Sequence, residues 1–501
     1  MTTCKKISCI AVPLRNNRQR LFHQYHFSYL SGNRKTLPLK KITPKNHLDE
    51  ALAWIFYSFV FLGLLYFLPF DHIGSLPLRR VNILSDLFVS KSLKKETIEP
   101  DSMAINDSLT AQVPAKFLQK GKLKMPKNFV GIESYAPIGK DSSGNALAHF
   151  AQAIALLKQK KQKKVRIAWF GDSFSEGDVV LGVLRDSLQQ TYGGMGVGFM
   201  PITAAAAKVR PTIGHSFANW RTYSILDKTK SPIKIGITGE VWCPQGSSTV
   251  SYNTVRFDGG QARLESVKYW YSDAKSTANV AVSLDHAAAQ QGKLLPDSGK
   301  LHNLAIMAGG ADYINAEWKG NLHLYGASLE GDYGIYLDNF SLRGNPGRKL
   351  QVINEGLLKQ FAAAQNYDLV VLQFGLNVTT ADTQGYDFYE KEMVPTVQFM
   401  QRCFPKASFL LLGVSDRSTH DENGNLISFP TIHKMTEVQA RIAQTCGIAF
   451  WDTRKAMGGA GSMVVWQKNG HANSDYTHLT WAGGKKMAKL LFQALQVELE
   501  N

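Results

Sequence analysis

The chain has 501 residues, too many for one ordinary domain, and its 44% hydrophobic content is enough for sizeable cores. The formal net charge of +17 does not argue for nucleic acid, since residues 1–70 hold ten basic and two acidic residues, +8 of the total, and no nucleic-acid motif follows. The five cysteines exclude a zinc site or a disulfide framework by their spacing: Cys4 and Cys9 lie in the basic tail, and Cys243, Cys403 and Cys446 lie far downstream.

Residues 1–50 read as a basic cytoplasmic tail. The segment 51–70 (ALAWIFYSFVFLGLLYFLPF) carries no charge and is long enough to cross a bilayer once as a helix. Cationic flanks stay on the cytoplasmic side, so the rest of the chain is expected outside. A cleaved signal peptide has a shorter apolar core and a small-residue cleavage site. Here the core is long and DHIGSLPLRR follows it, so an uncleaved transmembrane anchor is expected. Residues 71–131 are polar and aperiodic and read as a linker.

Regular elements begin near Ala146, where apolar residues recur at helical spacing to about Lys160. A strand over Val165–Phe170 breaks at Gly171-Asp172-Ser173-Phe174, and a helix follows over Asp178–Gln190. The glycine-rich run Gly193–Gly198 lacks the Lys-Ser/Thr of a phosphate loop and reads as a loop rimming a site. From 220 to 342 helical periodicity fades, and short stretches rich in Tyr, Trp, Thr and Val alternate with turns, as in an inserted β-sandwich. Trp242, Tyr269, Trp270 and Trp318 either stack on sugars there or, as is commoner in small sandwiches, fill its core.

Beyond the insert, strands at Leu369–Phe374, Ser408–Val414 and Ala449–Trp451 alternate with helices at Phe388–Arg402, Thr431–Thr445 and Thr480–Leu499. This alternation predicts an α/β fold, a doubly wound parallel sheet whose chemistry sits at the carboxyl ends of its strands. Its two parts are placed at 132–219 and 343–501. Cys403 and Cys446 are either paired in an oxidising compartment or buried free thiols.

Ser173 sits where a strand gives way to a helix, a place where a backbone N–H can meet an anion. A serine hydroxyl needs a base, and Asp475-Tyr476-Thr477-His478 supplies one just before the last helix. A carboxylate three residues before an imidazole can hold Nδ1–H and leave Nε2 free to take the serine proton. Each motif alone is weak; together they form a catalytic set of Ser173, Asp475 and His478. Asp172 is expected to shape its turn, Asp416 to form another turn, and Ser175 and Glu176 are given no role.

Gly171-Asp172-Ser173, Gly375-Leu376-Asn377 and Asp475–His478, in that order after the expected elements, resemble the blocks of the SGNH (GDSL-like) hydrolases. The resemblance covers about 145–500 outside the insert and implies a flavodoxin-like sheet. It also implies an oxyanion hole made by the Ser173 and Gly344 N–H groups and the Asn377 amide, with Gly347 and Gly334 as rivals for the glycine. The phrases VRIAWFGDSFSEGD, YGGMGVGFMPI and GSMVVWQKNGHANSDYTHLTWAGG are similar to cell-envelope members of that family, the peptidoglycan O-acetylesterases. Some of these carry a carbohydrate-binding-like sandwich at the place of 220–342.

The resemblance implies an esterase that removes acetyl groups from an O-acetylated polysaccharide through an acyl-enzyme on Ser173. It needs no metal or organic cofactor. The expected location is a bacterial inner membrane, single-pass, with the catalytic part outside. An O-acetyltransferase with the same triad, an anchored glycan-binding protein with an idle triad, and a lipase or thioesterase on the same fold remain as alternatives.

Overall fold

The computed structural model describes residues 129–135, 145–254, 264–297, 299–381 and 385–500, together with Tyr57 and the dipeptides His72–Ile73 and Leu76–Pro77. The chain divides into two units, residues 1–105 and 106–501. In the first, Tyr57 is helical, and the two dipeptides pair antiparallel. The expected tail, anchor and most of the linker lie outside the described residues. Among the described residues no helix is long and apolar enough to cross a membrane.

The second unit is built on a six-stranded sheet: β1 (Glu133–Ser134), β2 (Lys164–Gly171), β3 (Gly334–Asn339), β4 (Leu369–Gln373), β5 (Ser408–Leu412) and β6 (Ala449–Trp451). Their order is β3-β2-β4-β5-β6-β1, with β2 to β6 parallel and β1 antiparallel at one edge. The chain turns back across the sheet between β2 and β4, so their carboxyl ends open a crevice, the switch point where doubly wound sheets bind ligands. Ser173 follows β2 and Asn377 follows β4.

Among the described residues nine α-helices accompany the sheet: α1 (Ala148–Lys158), α2 (Ser173–Glu176), α3 (Leu181–Tyr192), α4 (Glu355–Gln365), α5 (Asp387–Cys403), α6 (Ile432–Cys446), α7 (Thr453–Met457), α8 (Ser462–Lys468) and α9 (Trp481–Glu500). Strand side chains alternate between two cores. Val165, Ile167 and Trp169 of β2 pack on one face with α1, α3 and α9, whereas Ala168 and Phe170 pack on the other with α4, α5 and α6. Both faces are covered, which is why β4 and β5 are buried at every position and read as unbroken apolar runs. Each fully buried Leu, Val or Phe contributes roughly 1.5–3 kcal/mol relative to exposure, so the sheet is a rigid floor for whatever its loops carry.

The insert is a nine-stranded antiparallel sheet that encloses a third core and also, through Phe199, Val241, Trp270 and Tyr325, packs into the core of α4, α5 and α6. Its bounds differ from 220–342 at both ends. Gly198–Met200 pairs with Ala327–Leu329, and Ile213–Ser224 pairs with the long strand Glu240–Thr254, so the insert starts before 220. At the other end Gly334–Asn339 is β3 of the parallel sheet. Fully buried on both faces, β3 shows no alternation, and a short apolar run of that kind does not reveal which sheet it joins. Trp242, Tyr269 and Trp318 are 0% exposed and Trp270 is 3% exposed, so all four aromatics fill cores.

The insert is fastened to the sheet by buried charge. Glu330, at the end of an insert strand, accepts from Lys268 at 2.6 Å, from Lys164 at 3.1 Å and from Arg166 of β2. Burial raises its pKa, but Arg166 and the lysines outweigh burial and hold it down to about 2. The run Gly193–Gly198 does not rim the crevice along its length. A Cβ at Gly194 or Gly196 would strike the backbone of Ile335 or Leu329, so these glycines let the chain lie against β3 and the last insert strand. Cys403 and Cys446 are both buried free thiols, and burial pushes each up to about 11.

Candidate active site

The break after β2 is built by sterics and by one cap. Gly171 has no room for a side chain, because a Cβ would meet Ser175 Oγ and Ser341 Oγ. Asp172 then leaves the strand in extended conformation, and its Oδ1 accepts from Phe174 N at 3.0 Å, starting α2. Ser173 is the first residue of α2, so its N–H has no acceptor within the helix. The Ser175 hydroxyl points inward to Gln373 Oε1 of β4 at 2.7 Å and lies 2.9 Å from Ser341 Oγ, which locks the turn onto the sheet.

His478 arrives from the far end of the chain. Its Nε2 lies 3.0 Å from Ser173 Oγ, and its Nδ1 lies 2.7 Å from Asp475 Oδ2. A carboxylate only accepts, so Nδ1 carries the proton, and Nε2 presents its lone pair to the serine hydroxyl. Asp475 is held by the backbone N–H groups of Thr477 and His478, both at 3.0 Å to Oδ1. Burial works to raise its pKa, but these hydrogen bonds and the imidazole outweigh burial and lower it, so Asp475 stays ionised. The tight Asp475–His478 turn puts Tyr476 at φ 51, a left-handed conformation that a tyrosine rarely adopts. Two bonds secure it: Tyr476 N donates to Asn473 O at 3.1 Å, and Ser418 N donates to Tyr476 O at 3.1 Å.

On the opposite side Asn377 Nδ2 donates to Asp172 Oδ2 at 3.0 Å and lies 3.4 Å from Asn345 O. The loop carrying Gly344 follows β3, and Leu342 N donates to Gly171 O at 3.0 Å, bringing that loop beside the serine turn. Gly344 has φ 78 with open space around it. The rival glycines are placed otherwise. Gly334 begins β3, at the amino end of the sheet, away from the crevice. Gly347 donates to Asn345 Oδ1 at 3.0 Å, and a Cβ there would press on Met393 and Phe374 in the core.

Sequence reading gave Glu176 no role, yet it ties this loop to α2. Arg343 donates from Nε to Glu176 Oε2 at 3.2 Å and from its backbone N to Oε1 at 3.4 Å. The two residues are 167 positions apart, and no local pattern marks such a pair. Asp178 is likewise unremarkable in sequence but sits at φ 60, fully buried, just after α2. It accepts from Arg185 at 3.1 Å, Arg210 at 2.9 Å, Thr212 at 2.7 Å and Asn339 at 2.8 Å. Burial alone would raise its pKa; Arg185 and Arg210 pull it far below the ordinary carboxylate range. Asp416 forms no substrate-facing group: it is buried and accepts from Ser428 Oγ, Arg454 Nε and Met463 N. Among the described residues no cluster of His, Cys, Asp and Glu is placed to hold a metal ion.

No protein-family model and no curated protein matches the chain. Solved structures do. A peptidoglycan O-acetylesterase superposes with a TM-score of 0.60 at 19% identity, over 74% of this chain and 99% of its own. A GDSL-like lipase from Parabacteroides merdae matches 33% of this chain and 73% of its own at 14% identity, with a TM-score of 0.26. A family two carbohydrate esterase from Cellvibrio japonicus gives a TM-score of 0.24 at 8% identity, over 57% and 99%. The first likeness shows a shared fold, covering nearly all of that esterase.

Proposed function

We infer, taking the SGNH (GDSL-like) hydrolase fold as the premise, that the chain is a serine esterase that removes acetyl groups from an O-acetylated cell-envelope glycan, with peptidoglycan the favoured substrate. The observation that carries this reading is the relay from Ser173 Oγ to His478 Nε2 at 3.0 Å and from Nδ1 to Asp475 at 2.7 Å. A fold likeness leaves chemistry open, whereas an assembled relay with an ionised carboxylate behind the imidazole supports nucleophilic catalysis.

In this reading Ser173 Oγ attacks the acetyl carbonyl while His478 Nε2 takes its proton. The oxyanion meets the Ser173 and Gly344 N–H groups and the Asn377 amide. The imidazolium, stabilised by Asp475, returns the proton to the departing sugar oxygen. Water then attacks the acetyl-enzyme with His478 again as base, releasing acetate and restoring Ser173. The glycan and acetyl specificity rest on the likeness to the peptidoglycan O-acetylesterase and on the sequence phrases shared with that subgroup. An anchor at 51–70, with the catalytic part outside a bacterial inner membrane, fits such a substrate.

The test is hydrolysis of 4-nitrophenyl acetate, and acetate release from O-acetylated peptidoglycan, by the full-length chain. Ser173→Ala and His478→Ala should each lower kcat by about 10⁴-fold or more. Turnover that survives Ser173→Ala would sink the assignment. Activity on the small ester with none on the glycan would leave the esterase and remove the substrate.

A further inference from the structure

Asp172 is a carboxylate with 1% exposure and, among the described residues, no lysine or arginine paired with it. Burying an ion without a counter-charge is costly, and a fold retains such a group where it does something a neutral side chain cannot. Capping α2 is no such task. It uses Oδ1 alone, and asparagine or serine caps as well as aspartate.

The second oxygen makes the difference. Oδ2 accepts from Asn377 Nδ2 at 3.0 Å, across 205 residues, from the strand on the other side of the crevice. Asn377 is otherwise exposed, and an exposed amide is free to turn about its last bond, exchanging donor for acceptor. Only a side chain that accepts at both oxygens can cap α2 and also fix the amide with its nitrogen inward. The second hydrogen on Nδ2 faces Asn345 O at 3.4 Å, a long contact that a developing negative charge can outbid.

We infer that Asp172 is a positioning residue: its buried carboxylate holds the Asn377 amide with an N–H turned toward the oxygen of the reacting ester. This rests on the esterase reading above. It gives the carboxylate beside the nucleophile a task distinct from that of Asp475, which acts through His478. Burial drives Asp172 toward its neutral form, and a carboxyl that gains a proton loses one of its two acceptor sites, so the device belongs to the ionised state.

The experiment is a double-mutant cycle on the full-length chain with 4-nitrophenyl acetate at pH 8. Asp172→Asn keeps the cap but sets an amide N–H₂ against the Asn377 N–H₂, so Asn377 turns its oxygen inward. The expected result is a kcat lower by about 10- to 100-fold, a KM within about threefold of the parent, and a melting temperature no lower than the parent's. In the Asn377→Ala background the same substitution should cost nothing further, because the group it acts through is gone. Asp172→Ser, which also caps and cannot reach Asn377 with a second acceptor, serves in the same cycle should Asp172→Asn not fold. A parent-like kcat in Asp172→Asn, or losses that multiply in the double variant, would overturn the inference while leaving the esterase in place. A parent without turnover would overturn both.

Discussion

Asp172 shows at the scale of one residue how a fold trades stability for a working group. Its ordinary value of 3.8 is raised to about 6, first by burial, with the Phe174 N–H, the neighbouring His478 ring and the Asn377 amide pulling the other way. A carboxyl whose folded pKa is raised adds stability below its unfolded value and loses it as pH rises through the folded one. Between 3.8 and about 6 the folded chain holds a proton that the unfolded chain has released. At neutral pH the ionised group therefore costs about 3 kcal/mol, an upper figure since the surroundings relax. Asp172→Asn should raise the unfolding free energy by about 1–3 kcal/mol at pH 8, with the gain shrinking toward pH 4. Urea unfolding at the two pH values checks this. In the parent, kcat should fall on acidification through about pH 6 more steeply than in Asp172→Asn, because the variant keeps only the fall due to the general base and lacks the step in which Asp172 is protonated and Asn377 loosens; pH–rate profiles of the two compared side by side check this.

At the scale of elements the candidate site is assembled from the ends of three strands and one loop before the last helix. The stretch after β3 is held to the serine turn by Leu342 N on Gly171 O and by Ser341 beside Ser175, and at its outer end by the Arg343–Glu176 pair, whose arginine is largely exposed. An exposed pair of this kind adds about 0.2–1 kcal/mol, so Arg343→Ala should leave the melting temperature nearly unchanged. Its effect should appear in turnover, a loss of about three- to tenfold as the Gly344 N–H wanders from its position. The sequence was informative about the serine turn and the Asp475–His478 loop because their chemistry is local, a few residues on known element types. It was uninformative about Glu176, Arg343 and Asp178, whose partners lie across the fold. The same limit explains β3. Gly334–Asn339 reads like any buried strand, and only its pairing with Lys164–Trp169 assigns it to the parallel sheet.

At the scale of the molecule the insert is part of the machinery's frame. Asp178 joins the end of the serine turn to Arg210 and Thr212, at the entrance of the insert, and to Asn339 at the end of β3. Removing a buried ion's partner leaves charges stranded, so Asp178→Ala should destabilise the chain by about 3–5 kcal/mol. Because Arg185 and Arg210 would both lose their counter-ion, Asp178→Asn should recover only part of that loss, which denaturant unfolding of the two variants compares directly. The carboxylate's depressed pKa means its contribution is complete at neutral pH and lost only in strong acid.

The pairing of Gly198–Met200 with Ala327–Leu329 has a consequence for how the chain reaches this state. β2 and β3 are sheet neighbours separated by more than 160 residues, a contact that a disordered connection would make slow to find. Once the intervening strands have closed their own core, their two ends lie side by side. The long connection then behaves as a short splice, and β3 is delivered to β2 almost as in a tight crossover. The insert can thus act as a folding chaperone built into the chain, completing itself first and so shortening the path by which the two halves of the parallel sheet meet.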